Sequence, residues 1–161
     1  MDPPICFRTP EADDGPAVTD LIASCPPLDS NSRYCNLLQC THFSDTCLLA
    51  ERDGQAVGFV SGYILPRQPD TLFIWQVAVA SSARGQGVGK RMLTSLLWNP
   101  ACQGVRRLET TITPKNRASW ALFQRLAEEL KADIREELYF EREIHFSGQH
   151  DPEYLVQIGP F

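Results

Sequence analysis

Gly85, Gly87 and Gly89 alternate along the run Arg84-Gly85-Gln86-Gly87-Val88-Gly89-Lys90, with a cation at each end. An apolar stretch at 72–80 precedes this run and a helical pattern follows it. Glycines between a strand and a helix let the backbone turn tightly and aim several N–H groups at one point. The helix start adds positive potential, and together they predict a site for a pyrophosphate-type anion. Two nucleotide fingerprints fail here. A nucleoside-triphosphate loop wants Gly, four residues, then Gly-Lys-Ser/Thr; Arg84 stands at the first place and Arg91 follows Lys90. A dinucleotide loop wants glycines at its first, third and sixth places, and counting from Gly85 the sixth is Lys90.

The elements that must hold this loop read out along the chain. Residues 5–8 predict a first strand. A helix is expected from Thr9 as cap and Pro10 as first helical residue, with Val18, Leu21, Ile22 and Cys25 on its buried face and Pro26-Pro27 as its stop. A short second helix follows at 32–42. Strands at 47–52 and 56–65 flank a hairpin turn at Asp53-Gly54. The stretch 71–80 is apolar at nearly every position and reads as a central strand. A helix at 87–98 turns Val88, Met92, Leu93, Leu96 and Leu97 inward. A strand at 108–113 precedes a helix led by Asn116, whose stripe is read as Ala118, Leu122, Leu126 and Leu130. Strands at 138–146 and 154–158 end the order. The expectation is an α/β (α+β) fold, a mixed sheet flanked by helices, in a single domain over 1–161.

Composition bounds the function. The 161 residues are 43% apolar and 22% charged, an ordinary globular balance. Net charge is −5 with no basic stripe, which disfavours nucleic acid. Apolar runs are too short for a transmembrane helix, and Met1-Asp2-Pro3-Pro4 lacks the basic start and apolar core of a signal peptide. A cytoplasmic location is expected. The six cysteines, at 6, 25, 35, 40, 47 and 102, form no Cys-x-x-Cys pair and have no histidine at zinc-site spacing. They read as reduced packing residues, and no metal is expected.

The motif Arg84-x-x-Gly87-x-Gly89, with a central strand before it and an Asn-led helix further on, resembles the acyl-CoA loop of the GCN5-related N-acetyltransferases. The resemblance implies a mostly antiparallel sheet whose central strand splays from its neighbour at the acyl-CoA site. Acetyl-CoA is then the cosubstrate. Its pantetheine arm pairs with the strand edge at Val77, Ala78 and Val79, and its pyrophosphate lies on the N–H groups of Gly85, Gln86, Gly87, Val88 and Gly89, beside Arg84 and Lys90. Asn116 contacts the cofactor, and Asn is also an ordinary helix cap. One position departs from the pattern. Many members carry a tyrosine about seven residues after that asparagine, as general acid for the departing thiolate; Phe123 stands there and cannot donate a proton.

Dispersed segments carry a closer resemblance, to the L-2,4-diaminobutyrate acetyltransferases of ectoine synthesis. They are Leu28-Asp29-Ser30-Asn31-Ser32-Arg33-Tyr34, Thr41-His42-Phe43, Gly58-Phe59-Val60-Ser61-Gly62-Tyr63, the run 69–79, Glu109-Thr110-Thr111, and His150-Asp151-Pro152-Glu153-Tyr154-Leu155. This resemblance implies acetyl transfer to the γ-amine, a homodimer, and an acceptor site lined by Asp29, Tyr34, Trp75, His150 and Glu153. Such a set suits an acceptor with two ammonium groups and one carboxylate. Glu153, Asp29 and His150 are the candidate bases. Each has a plainer reading: Asp29 as a helix cap, Trp75 as core, Tyr34 as packing, His150 as a solvated loop residue. His42 and His145 keep the plain reading. Another diamine as acceptor, or a non-catalytic acyl-CoA sensor favoured by Phe123, are the alternatives.

Overall fold

The computed structural model describes residues 2–161. Seven strands run β1 Cys6–Arg8, β2 Leu48–Arg52, β3 Gln55–Leu65, β4 Gln68–Val79, β5 Arg107–Ile112, β6 Ile134–Phe140 and β7 Glu153–Ile158. Five α-helices accompany them: α1 Gly15–Ala23, α2 Arg33–Gln39, α3 Val88–Leu97, α4 Arg117–Leu130 and α5 Arg142–Phe146. The hydrogen-bonded strand order is β1-β2-β3-β4-β5-β7-β6. Pairs β1–β2, β2–β3, β5–β7 and β6–β7 are antiparallel, and β4–β5 is parallel. The sheet is thus mixed and mostly antiparallel, as expected.

The chain forms two compact units. One holds residues up to Tyr63 together with Trp75–Gln103, and the other holds Ile64–Ile74 with Gly104–Phe161. In the first, Val18, Leu21, Ile22 and Cys25 bring one face of α1 onto Cys40, Cys47, Leu49, Phe59 and Ala78. Helix α3 buries Val88, Met92, Leu93 and Leu96, the stripe read from the sequence, while Leu97 stays half-buried at its edge. The β2–β3 turn places Asp53 at φ 52° and Gly54 at φ 73°, the two left-handed residues that a tight hairpin requires.

The start of α1 differs from the expectation. The Arg8 guanidinium donates to the Thr9 carbonyl at 3.2 Å and to both Asp14 oxygens at 2.8 and 2.7 Å. Asp14 in turn accepts from the Glu11 N–H at 2.7 Å. These bonds close a 3-10 turn at Ala12–Asp14 with Glu11 as its cap, so Thr9 caps nothing and Pro10 is buried ahead of the helix. Pro16, in the first turn of α1, takes the role expected of Pro10.

In the second unit, β5 pairs with β7 and β7 with β6. Two expectations are corrected here. Helix α4 buries Phe123, Leu126 and Ala127, while Ala118 is exposed. Stepping by four residues drifts round a helix of 3.6 residues per turn, so a stripe of 118, 122, 126 and 130 leaves the face that 123, 126 and 127 define. The stretch 138–146 is not one strand. It ends β6 at Phe140, after which the Glu141 N–H donates to His145 Nδ1 at 2.7 Å and α5 begins. Strand β6 also starts earlier, at Ile134, because its partner is β7 and not a buried face; every residue in it is exposed.

Candidate active site

In the first unit, β4 delivers the chain to the glycine loop. Ala80 N–H donates to Val57 O at 2.8 Å, a 3-10 turn follows at Ser81–Ala83, and buried Ala83 anchors it. Arg84 is extended, with Nε donating to Val79 O at 3.2 Å. Gly85 and Gly87 are left-handed, at φ 76° and 70°. Gly87 is the N-cap of α3 and brings no side-chain bond to it; the helix ladder opens with Arg91 N–H on Gly87 O at 3.0 Å. The first-turn N–H groups therefore point out of the helix without intrahelical partners, at its positive end. Gln86 is turned away and tied back, with Oε1 accepting from Arg52 Nη2 at 2.7 Å and Nε2 donating to Ser82 O at 3.3 Å. Val88 is core, 2% exposed, so it offers its backbone to a ligand and its side chain to the interior. Left-handed glycines feeding an uncapped ten-residue helix make a cradle that fits a diphosphate group.

Upstream of this loop, Trp75 is 38% exposed and belongs to an aromatic trio. Its ring lies 5.9 Å from Tyr63 and 6.4 Å from Phe43 in edge-on geometry, and Phe43 lies 6.0 Å from Tyr63. Such pairs contribute about 0.5–1.5 kcal/mol each beyond burial, and they fix the indole plane. Trp75 is thus held at a surface rather than sealed in the core. Ala78 is buried, and Val77 and Val79 are half-buried. Asp29 is exposed on the α1–α2 loop and does not cap α2: that role belongs to Ser32, whose Oγ accepts from Cys35 N–H at 3.0 Å. Tyr34 projects from α2 with 69% exposure, so it packs under nothing. The Asp29 carbonyl accepts from Gln76 Nε2 at 2.8 Å, which joins the loop to the residue next to Trp75.

In the second unit, Asn116 caps α4, its Oδ1 accepting from Ser119 N–H at 3.3 Å. Phe123 is 2% exposed and serves the α4 core stripe. His150 and Glu153, both half-buried, share the junction from the last loop into β7. His150 packs against Phe146 with the rings tilted and their centroids 4.5 Å apart, and its Nδ1 lies 2.5 Å from the Asp151 carbonyl. A carbonyl can only accept, so Nδ1 carries the proton and Nε2 is the basic nitrogen of the neutral ring. Strand pairing sets Glu153 opposite Phe140, where a register shift in β6 lies. His145 is used structurally, by accepting the Glu141 N–H.

Cys25, Cys40, Cys47 and Cys102 are buried and behave as packing residues, whereas Cys35 is half-buried and Cys6 is exposed. Burial pushes the Cys47 thiol up to about 12 and those of Cys40 and Cys102 to about 11, far from a thiolate nucleophile at neutral pH. Residue spacing alone overlooked Phe43 and Tyr63 as neighbours of Trp75, and Gln76 as the tether of the Asp29 loop. They are scattered along the chain and meet through β3–β4 pairing and the turn before β2.

Strand order, a left-handed glycine loop and an uncapped helix after the central strand define a mixed-sheet α/β protein with a cradle for a diphosphate-bearing cofactor. A sequence model of the Acetyltransferase (GNAT) family matches residues 16–127, and the chain belongs to that family. It is 53% identical over 159 residues to an L-2,4-diaminobutyric acid acetyltransferase from Methylotuvimicrobium alcaliphilum, covering 99% of this chain and 92% of that one. It is 48% identical to one from Halomonas elongata, covering 98% and 82%. Among solved structures it resembles the diaminobutyrate acetyltransferase of Paenibacillus lautus, in complex with L-2,4-diaminobutyric acid and coenzyme A. That likeness has a TM-score of 0.94 and 46% identity, over 98% of this chain and 96% of that one.

Proposed function

We propose that this chain transfers the acetyl group of acetyl-CoA to the γ-amine of L-2,4-diaminobutyrate, giving N4-acetyl-L-2,4-diaminobutyrate and CoA. The reaction serves ectoine synthesis in the cytoplasm and is carried by one acetyltransferase domain over 1–161. The observation that carries this reading is the near-whole-chain likeness to an enzyme solved with both ligands.

Acetyl-CoA supplies an activated thioester; the rest is the work of the chain. The cradle of Gly85 to Gly89 takes the pyrophosphate, with Arg84 and Lys90 beside it. Val77, Ala78 and Val79 offer strand backbone to the pantetheine, since the β4–β5 ladder covers Thr71–Ile74 and β4 runs on to Val79. Asn116 contributes at the head of α4. A backbone N–H near Val77 to Val79 meets the charge that develops on the carbonyl oxygen.

The acceptor arrives as an ammonium. With a pKa of about 10.4, making the free amine at pH 7 costs about 4–5 kcal/mol, which the site must offset with a base. Glu153 is assigned that role, because a carboxylate both attracts the ammonium and accepts its proton. His150 Nε2 and Asp29 are the other acceptors within the set. The α-amine is less basic, so more of it is free at neutral pH. Selecting the γ-amine requires that both α-groups be anchored, which gives Asp29, Tyr34 and the rigid face of Trp75 their purpose. Thiolate is a good leaving group, which makes the loss of an acid at Phe123 tolerable. A homodimer is supported by apolar residues left exposed on β6 and α5: Ile134, Leu138, Tyr139, Phe140 and Ile144.

Incubation with acetyl-CoA and L-2,4-diaminobutyrate, read by thiol release and NMR of the product, tests the proposal. Acetyl on the γ-nitrogen is expected. Acetyl on the α-nitrogen, or turnover with other amines only, would replace the acceptor. No thiol release would leave an acyl-CoA sensor.

A further inference from the structure

Four side chains in the first unit form one directed hydrogen-bond chain that no expected role accounts for. On α1, Thr19 Oγ1 donates to Gly15 O at 2.9 Å and accepts from Asn36 Nδ2 at 2.8 Å. Asn36 lies on α2 and is fully buried; its Oδ1 accepts from Asn31 Nδ2 at 3.3 Å. The same Asn31 amide donates to Gln76 Oε1 at 2.6 Å. Gln76 Nε2 then donates to the Asp29 carbonyl at 2.8 Å. Asn36 and Gln76 each accept through the oxygen and donate through the nitrogen, and Asn31 donates twice from Nδ2, so turning any one of these amides over sets like against like.

Gln76 is held from below as well. Its main-chain N–H donates to the Oγ of Ser61, a fully buried residue of β3, at 3.1 Å. One residue of β4 therefore grips the sheet through its backbone and the α1–α2 loop through its side chain. The grip has two points, one on each side of Ser30: the Asp29 carbonyl and the Asn31 amide. Two points fix the orientation of a short loop, not only its distance.

We propose that Gln76 is a positioning residue, a latch that sets the loop bearing Asp29 and the start of the helix bearing Tyr34 at a defined height over β4, and so sets affinity for the diamine. This rests on the acceptor-site reading of Asp29 and Tyr34 given above. Both side-chain bonds of Gln76 go to the α1–α2 loop, so the latch acts on acceptor binding and leaves cofactor binding alone.

The test compares wild type with Gln76→Leu, which keeps the bulk and loses both side-chain bonds. Backbone hydrogen exchange without ligand should speed up over 28–34 and stay unchanged in the core strands. The KM for L-2,4-diaminobutyrate should rise roughly ten- to hundredfold, the loss expected for two neutral hydrogen bonds. The KM for acetyl-CoA and kcat should stay within about twofold. Asn31→Ala should act in the same direction and carries the same test if Gln76→Leu does not fold. The double variant should fall short of the sum of the two singles, since both lose the Asn31–Gln76 bond. Unchanged exchange over 28–34, a parallel rise of both KM values, or additive effects would overturn the latch. Failure of the wild type to acetylate the diamine would overturn the functional reading instead, with the exchange measurement still deciding the latch.

Discussion

Replacing Gly87 with alanine puts the anion cradle at risk through a single backbone angle. Gly87 sits at φ +70°, and a Cβ added there meets nothing within 4 Å. Packing is therefore untouched, and the cost is that of holding an L residue in the left-handed region, about 1–2 kcal/mol. Gly54, in the β2–β3 turn, is the same physical case away from the loop: φ is +73° and nothing lies within 4 Å. The penalty at Gly87 can fall in two places. A loop that keeps its shape without ligand loses stability, and Tm drops by about 2–8 °C for a chain of this size. A loop that relaxes to negative φ when empty keeps its Tm, and the ligand must restore the angle, which weakens the Kd for CoA about five- to thirtyfold. The two losses add to the same total of about 1–2 kcal/mol. Thermal unfolding and CoA titration calorimetry on wild type, Gly54→Ala and Gly87→Ala measure both. Gly54→Ala should lower Tm and leave CoA binding alone. A summed loss near zero for Gly87→Ala beside a normal Tm loss for Gly54→Ala would refute the reasoning. So would equal weakening of CoA binding by both.

Glu153→Gln should lower kcat/KM for the diamine and leave CoA affinity nearly unchanged; an unaltered rate and pH–rate profile would remove Glu153 from the base role. Phe123→Tyr places a hydroxyl in the α4 core stripe, where an unpartnered one costs about 1–3 kcal/mol, so a lower Tm with no gain in kcat is expected. A rise in kcat at unchanged Tm would mean that the hydroxyl reaches the departing thiolate. The Asp14 carboxyl is held below its usual range chiefly by its hydrogen bond from Arg8. A depressed folded pKa means that this stabilisation is present above the unfolded value of about 3.9 and is lost as pH falls through the folded value. Asp14→Asn should then cost about 1 kcal/mol at pH 7, discounted for the exposure of Arg8, and the Tm gap to wild type should close in acid. A gap of constant size from pH 7 downward would contradict this.

The glycine loop was legible because its physics is local. Alternating glycines, a strand before and a helix after fix a backbone geometry within a few residues, and the left-handed angles at Gly85 and Gly87 follow from it. The face of α3 was legible for the same reason, since Val88, Met92, Leu93 and Leu96 obey one helical period. The start of α1 was not. Thr9 and Pro10 form a good local signal, yet Arg8 diverts the chain by binding Asp14, and a six-residue side-chain contact outweighs a cap preference worth about 1 kcal/mol. The charged run before Leu138 hid the first half of β6, because pairing with β7 needs backbone groups and no apolar alternation.

By itself the sequence determined the family and the geometry of its glycine loop, since glycine conformations and helix polarity are properties of short stretches of chain. The surroundings of the candidate acceptor-site residues were decided only by tertiary structure. Trp75 read equally well as core or as site until Phe43 and Tyr63 were found holding it edge-on at a surface. Asp29 read as a site residue or as a cap, and the cap role falls to Ser32 while Gln76 holds the Asp29 carbonyl. Contacts between residues about twelve to fifty positions apart are set by which strands pair and where helices dock. No local period or propensity encodes them.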